Sequence, residues 1–182
     1  MIHEVKSWGP DAKTRRAVER FEAQIARDLD DAYAYVNMGL WWHWNEEYAR
    51  ALDHYDTAVR LDPVFAHARC ARASLLATCP DARYRNGEVA VRDATVALDV
   101  ARESGQLTTN WKHRMYLETL AAALAECGDF DAAVQVEQEA LPLCITRINE
   151  ETANARIAQF RAGVPLRVEE GLVRSGPPRR TE

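Results

Sequence analysis

His67 and Cys70, three residues apart and so able to share one face of a helix, come nearest to a reactive constellation, with Cys79 further along the chain. A structural zinc site takes four ligands, and no fourth suggests itself, so the sequence predicts no metal. The four cysteines, Cys70, Cys79, Cys127 and Cys144, form no C-x-x-C pair and fall inside helical patterns. They read as reduced small hydrophobes, which places the chain in the cytoplasm. Carboxylates abound, but Glu46 and Glu47 with Arg50, and Asp56 with Arg60, stand at helical pair spacing and read as solvated ion pairs. His54 reads as a solvated helix residue. No glycine-rich phosphate loop, nucleophile elbow or H-E-x-x-H occurs. The chain is expected to hold no catalytic residues and no cofactor.

The elements that carry these residues are helical. With 182 residues, 47% hydrophobic and 28% charged, the chain has the length and apolar content of one ordinary domain. Its 23 Lys+Arg are nearly all arginine, since Lys6, Lys13 and Lys112 are the only lysines, and the net charge is −5. A sequence pI near 5.6 without a dense basic stripe argues against nucleic acid or an anionic membrane as partner. No apolar run is long enough for a transmembrane helix, and residues 1–13, with Trp8 and Pro10, lack the apolar stretch of a secretory signal. Alanine, the best helix former, is the commonest residue, and strand-like alternation is absent.

Stops and starts divide the chain. A first helix is predicted over 11–29, with Ala17, Val18, Phe21, Ile25 and Leu29 as its apolar stripe. Asp30 and Asp31 offer caps for a second, reaching Trp44. A third spans 47–61 and a fourth 64–78, halted by Cys79-Pro80. After an irregular stretch over 81–87, a fifth covers 88–103. Asn110 caps a sixth that ends at Gly128, Asp129 starts a seventh through Leu141, and a last helix over 147–162 ends in Gly163 with Pro165 beyond. Residues 164–182, rich in Arg, Glu, Gly and Pro and including Arg174, Arg179 and Arg180, read as a flexible tail.

Spacing recurs along this series. Gly39, Ala51, Tyr55, Ala58 and Pro63 stand at offsets of 12, 4, 3 and 5, and Ala121, Ala133, Glu137 and Ala140 repeat the first three. Ala73, Ala90, Ala94 and Ala97 keep 4 and 3 but stretch the first interval to 17. The step of 15 from Ala58 to Ala73 completes a period of about 34 residues. Small residues on the first helix of a pair (Gly39, Ala73, Ala121) would face small residues on the second (Ala51, Ala90, Ala133) and let two antiparallel helices approach closely. A third small position (Ala58, Ala97, Ala140) would admit the first helix of the next pair. Large residues such as Trp42 and Tyr55 fill the space between, and Pro63 permits a tight turn. Each pair alone leaves an apolar face uncovered, so the pairs must stack.

These residues resemble the tetratricopeptide repeat family. Tyr35, Met38-Gly39, Trp42, Ala51, Tyr55, Ala58 and Pro63 match its signature. So do Leu117, Leu120-Ala121, Leu124, Gly128-Asp129-Phe130, Ala133 and Ala140, with Glu137 where an aromatic is usual. The middle copy, with its long link over 75–87, looks like a bacterial variant of the repeat, and Arg72 departs from it where an apolar residue is expected. The resemblance implies an all-α right-handed solenoid over 1–163. It would comprise a half repeat (11–29), repeats at 32–65, 66–104 and 111–143, and a capping helix (147–162). It also implies a non-catalytic scaffold that binds a peptide or helix of another protein.

In such a stack the first helices line a concave groove. By register its open positions are Tyr33, Val36, Asn37, Leu40, His43 and Trp44, then His67, Cys70, Ala71 and Ser74, then Met115, Glu118, Thr119, Ala122 and Glu126. The family's clamp for acidic tails needs Lys, Asn and Arg at positions held here by Val36, Leu40, Ala71, Met115 and Thr119, so that activity does not carry over. Trp41, Trp42 and Trp44 cannot all point one way on a helix. Either one of them offers an aromatic anchor near Leu40 and His43, or Trp41 and Trp44 are covered by the first helix or the loop after Glu46. The alternative to partner capture is a self-associating module, a homodimer in which the tryptophans pair two copies. A regulatory role beside a kinase or transcription factor would act in trans, since the remaining sequence has no room for an effector domain.

Overall fold

A computed structural model describes residues 12–105 and 110–168. It contains eight α-helices: α1 (Ala12–Arg27), α2 (Ala32–Trp44), α3 (Tyr48–Leu61), α4 (Ala66–Thr78), α5 (Gly87–Glu103), α6 (Asn110–Glu126), α7 (Phe130–Ala140) and α8 (Arg147–Arg161). Single 3₁₀ turns at Ala82–Tyr84 and Leu141–Leu143 complete the regular structure, and no strand occurs among the described residues. The chain is all-α.

Side-chain caps set four of the eight helix starts. Asp31 accepts from the Ala34 N–H at 3.0 Å, Asn86 from Val89 at 3.1 Å, Asp129 from Ala132 at 3.1 Å and Thr146 from Asn149 at 3.2 Å. Each satisfies a donor that the first turn leaves without a helical acceptor. The side chains of Asn110 and Ala17, given capping and packing roles above, lie outside the described residues.

Three boundaries differ from the sequence reading. α1 stops at Arg27, because Asp28 turns the chain by accepting from the Asp30 N–H at 3.0 Å. Leu29 consequently leaves the apolar stripe and is 68% exposed. α4 begins at Ala66 and not at residue 64, since the Asp62 carboxylate holds the Val64 N–H at 3.1 Å and keeps that turn non-helical. Residues 164–168, expected to leave the domain, stay on it as an extended segment whose Val168 N–H donates to the Thr78 carbonyl at 3.0 Å. Arg174, Arg179 and Arg180 lie outside the described residues.

The helices pack in a regular order. α2 lies on α3, α4 on α5 and α6 on α7; α3 also meets α4, α5 meets α6 and α7 meets α8. The first helices of the pairs touch directly as well, α2 with α4 and α4 with α6, while α1 covers α2. Gly39, Ala51, Ala58, Ala73, Ala90, Ala97, Ala121, Ala133 and Ala140 are all buried. Ala73 and Ala90 share one apolar cluster, and Ala121 and Ala133 share another with Phe160. Pro63 is exposed at the α3–α4 turn.

The closest approach is at Gly39. A Cβ there would sit 2.5 Å from Cε1 of Tyr55 and 3.3 Å from the Ala51 carbonyl oxygen. Tyr55 is fully buried and has no room to turn aside. Helix propensity alone would favour Gly39→Ala by about 1 kcal/mol, but overpacking of this kind costs about 1–3 kcal/mol. Gly39→Ala should therefore lower the unfolding free energy in urea titration, by up to about 2 kcal/mol; a gain in stability would contradict the tight α2–α3 contact.

Candidate functional site

The polar side chains of α4 and α6 are tied to neighbouring helices. Asp93 of α5 is fully buried and takes two arginines of α4, Arg69 at 2.7 Å and Arg72 at 2.7 Å. Arg69 also donates to the Pro63 carbonyl at 2.6 Å, and Arg72 reaches Asp56 of α3 at 2.6 Å. Arg72 thus fills its departure from the repeat pattern with a paired charge, and Asp56 pairs across helices, contrary to the expected pairing with Arg60. A buried carboxylate flanked by two guanidiniums satisfies charges that burial would otherwise penalise by several kcal/mol.

A second set joins α6, α7 and α8. Arg156 contacts both Glu118 and Glu137, the latter fully buried, and Arg114 pairs with Glu118 at 2.7 Å. Burial pushes the Glu137 carboxyl above its ordinary value, with Arg156 opposing the shift. Glu137 stands where α3 has Tyr55, so an ion pair fills the space that a ring fills in the first pair. A third set fixes the long link before α5. Arg85 donates to the carbonyls of Cys79 and Pro80 at 2.9 and 3.0 Å and to Glu126 of α6 at 3.0 Å.

Against this frame the expected binding residues separate. Tyr33 is 58% and Trp44 38% exposed, while Asn37, Leu40, His67, Ser74, Met115, Glu118 and Glu126 are half-buried. Val36 and Cys70 are not open: both are buried, because α2 packs on α4 and α4 on α6. Thr119 and Ala122 are likewise buried. Cys70 Sγ lies 3.3 Å from Thr119 Oγ1, and burial pushes its thiol up to about 11, so it stays protonated. Leu40 packs into two apolar clusters with Val36 and Tyr55. Among the described residues no three His, Cys, Asp or Glu side chains converge as metal ligands, and no helix is long and apolar enough to cross a membrane. All four cysteines are unpaired.

The tryptophan run resolves by position. Trp41 and Trp42 are half-buried and meet edge to face with ring centroids 4.4 Å apart, and the Arg50 guanidinium lies 4.4 Å over Trp42. Trp44 is the most exposed of the three, at 38%. His43 turns toward α3, with Nδ1 3.5 Å from the Tyr55 hydroxyl and its ring edge-on to Tyr48. His54, expected in solvent, is half-buried beside the Tyr35 ring.

Further exposed apolar residues escaped the sequence reading. Val64, Trp111, Ile145 and Ile148 are 64, 51, 71 and 74% exposed and, with Leu29 and Tyr33, stand at the starts of α2, α4, α6 and α8. The signal was legible only as apolar residues beside predicted caps. No protein-family model matches the chain, and no curated protein matches it.

Burial holds His43 neutral, its pKa pushed down to about 4. An unfolded chain takes up that proton near 6.5. Between these values the unfolded state binds more protons, so stability falls as pH drops. From pH 7 to pH 5 this amounts to about 2 kcal/mol. His54 and His67, also lowered by burial, act in the same direction. Urea titrations at the two pH values should show His43→Gln losing about 2 kcal/mol less than the parent; equal losses would contradict a buried neutral imidazole.

Proposed function

We propose that the chain is a non-catalytic tetratricopeptide-type interaction module. Its three helix pairs would stack as a right-handed solenoid capped by α8, and the face of α2, α4 and α6 would take a peptide or helix from a partner protein. The observation that carries this reading is the packing order. Each first helix meets its own second helix and the first helix of the next pair, through alanines and a glycine that are buried at every such position. On this reading the side of the first helices away from α3, α5 and α7 would form the binding face, with Trp44 and Tyr33, both exposed on α2, as its anchors. Large aromatics of this kind are the commonest energetic anchors of protein interfaces. Four unpaired cysteines favour a reducing compartment such as the cytoplasm.

The row of exposed apolar residues at the helix starts favours a second reading, in which the module pairs with another copy of itself. Two measurements on Trp44→Ala and Tyr33→Ala separate the cases. An anchoring aromatic is worth about 2 kcal/mol, roughly thirty-fold in affinity. Proteins recovered with the parent chain should fall by at least ten-fold with Trp44→Ala while the helical circular dichroism stays unchanged. Light scattering across concentration should give the monomer mass. Unchanged recovery would remove the partner-binding face, and a doubled mass lost in either variant would assign that face to self-association.

A further inference from the structure

The segment after α8 turns back onto the molecule. Gly163, at φ +70°, reverses the chain, and Gln159 Nε2 holds the Pro165 carbonyl at 3.0 Å. The chain then runs extended over the last turns of α6 and α4. Leu166 inserts between two apolar clusters, touching the group that holds Ala77 and Ala122 and the group that holds Ala125 and Phe160. The Val168 N–H donates to the Thr78 carbonyl at 3.0 Å, one of the acceptors that the end of α4 leaves open. Arg167 Nη1 lies 2.7 Å from Glu126 Oε2, a charge contact without hydrogen-bond alignment.

These are the contacts of a bound peptide: extended backbone, one main-chain hydrogen bond, one apolar anchor and one charge pair. Alanines beneath Leu166 supply the depth. Glu126 supplies the charge, and its situation is informative. Its Oε1 is taken by Arg85, whereas Oε2 is buried and, among the described residues, Arg167 is the cation paired with it. When the segment lifts away, that oxygen loses its counter-charge, and a second guanidinium or ammonium is the natural replacement. The carbonyl end of α4 draws a cation to the same place.

We propose that the cleft over the C-terminal turns of α4 and α6 is a peptide subsite for a bulky apolar residue followed directly by a basic one. Leu166-Arg167 of the chain itself holds the subsite closed, and an outside segment of that type binds by displacing residues 164–168. The proposal rests on the α2–α4–α6 face being a ligand surface. It adds the ligand chemistry and an internal competitor. A tethered segment acts at an effective concentration of about millimolar, so releasing it should strengthen outside binding many-fold.

The probe is a fluorescein-labelled synthetic peptide with the sequence of residues 163–172, followed by anisotropy against the full chain. Leu166→Ala/Arg167→Glu should bind it at least ten-fold more tightly than the parent, and adding Glu126→Arg should abolish that binding. Equal affinity for parent and released chains, no binding to a released chain of unaltered circular dichroism, or indifference to Glu126→Arg would each overturn the proposal. Should the double substitution unfold the protein, Arg167→Gln alone should give at least a three-fold gain, and no gain would overturn it. Loss of partner capture in Trp44→Ala without peptide binding at Glu126 sinks this subsite and leaves the broader reading standing. Peptide binding with capture unaffected does the reverse.

Discussion

Small side chains at the lines where helices touch are the constraint on which the rest of this molecule depends. Gly39 admits the Tyr55 ring at a distance no Cβ would allow, and buried alanines stand at the equivalent positions of the later pairs. Close helices gain dispersion contacts and exclude water from the whole interface. They also leave little room for choice of register, because a slip would bring a large side chain against a backbone. The same contacts turn the first helices α2, α4 and α6 toward one another, which buries Val36, Cys70 and Thr119 and leaves Trp44 and Tyr33 outside.

Tight apolar lines leave polar groups to be satisfied behind them. Asp93 between Arg69 and Arg72 joins α4 to α5, and Arg156 between Glu118 and Glu137 joins α6, α7 and α8. Burying such charges is unfavourable unless each is paired, and here each buried carboxylate is met by a guanidinium from a neighbouring helix. Arg85 does comparable work for the long α4–α5 link. It binds two carbonyls at the end of α4 and Glu126 of α6, and the link needs no core of its own.

Helix number, order and class were legible in the sequence, because caps, glycines and the 12-4-3 spacing of small residues are local signals. Helix ends were less so. The Asx turns at Asp28 and Asp62 displaced two boundaries by side-chain hydrogen bonds that compete with the helix. Of the candidate site, Trp44 and Tyr33 could be read from helical register, whereas Val36 and Cys70 could not. Register gives the face of a residue but not whether the next helix covers it. Arg72 and Glu137 looked like departures from the pattern, since their partners Asp93 and Arg156 lie about twenty residues away. The return of residues 164–168 onto α4 and α6 was hidden for a related reason: composition suggested a solvated tail, and a single Leu-Arg pair is enough to anchor it.

Nuclear Overhauser contacts in solution test the central claim most directly. The Gly39 Hα protons should show strong contacts to the Tyr55 ring and be shifted upfield by it, and the methyl groups of Ala73 and Ala90, and of Ala121 and Ala133, should lie in mutual contact. Absence of the Gly39–Tyr55 contact, or alanine methyls that see only their own helices, would contradict the account from its foundation upward.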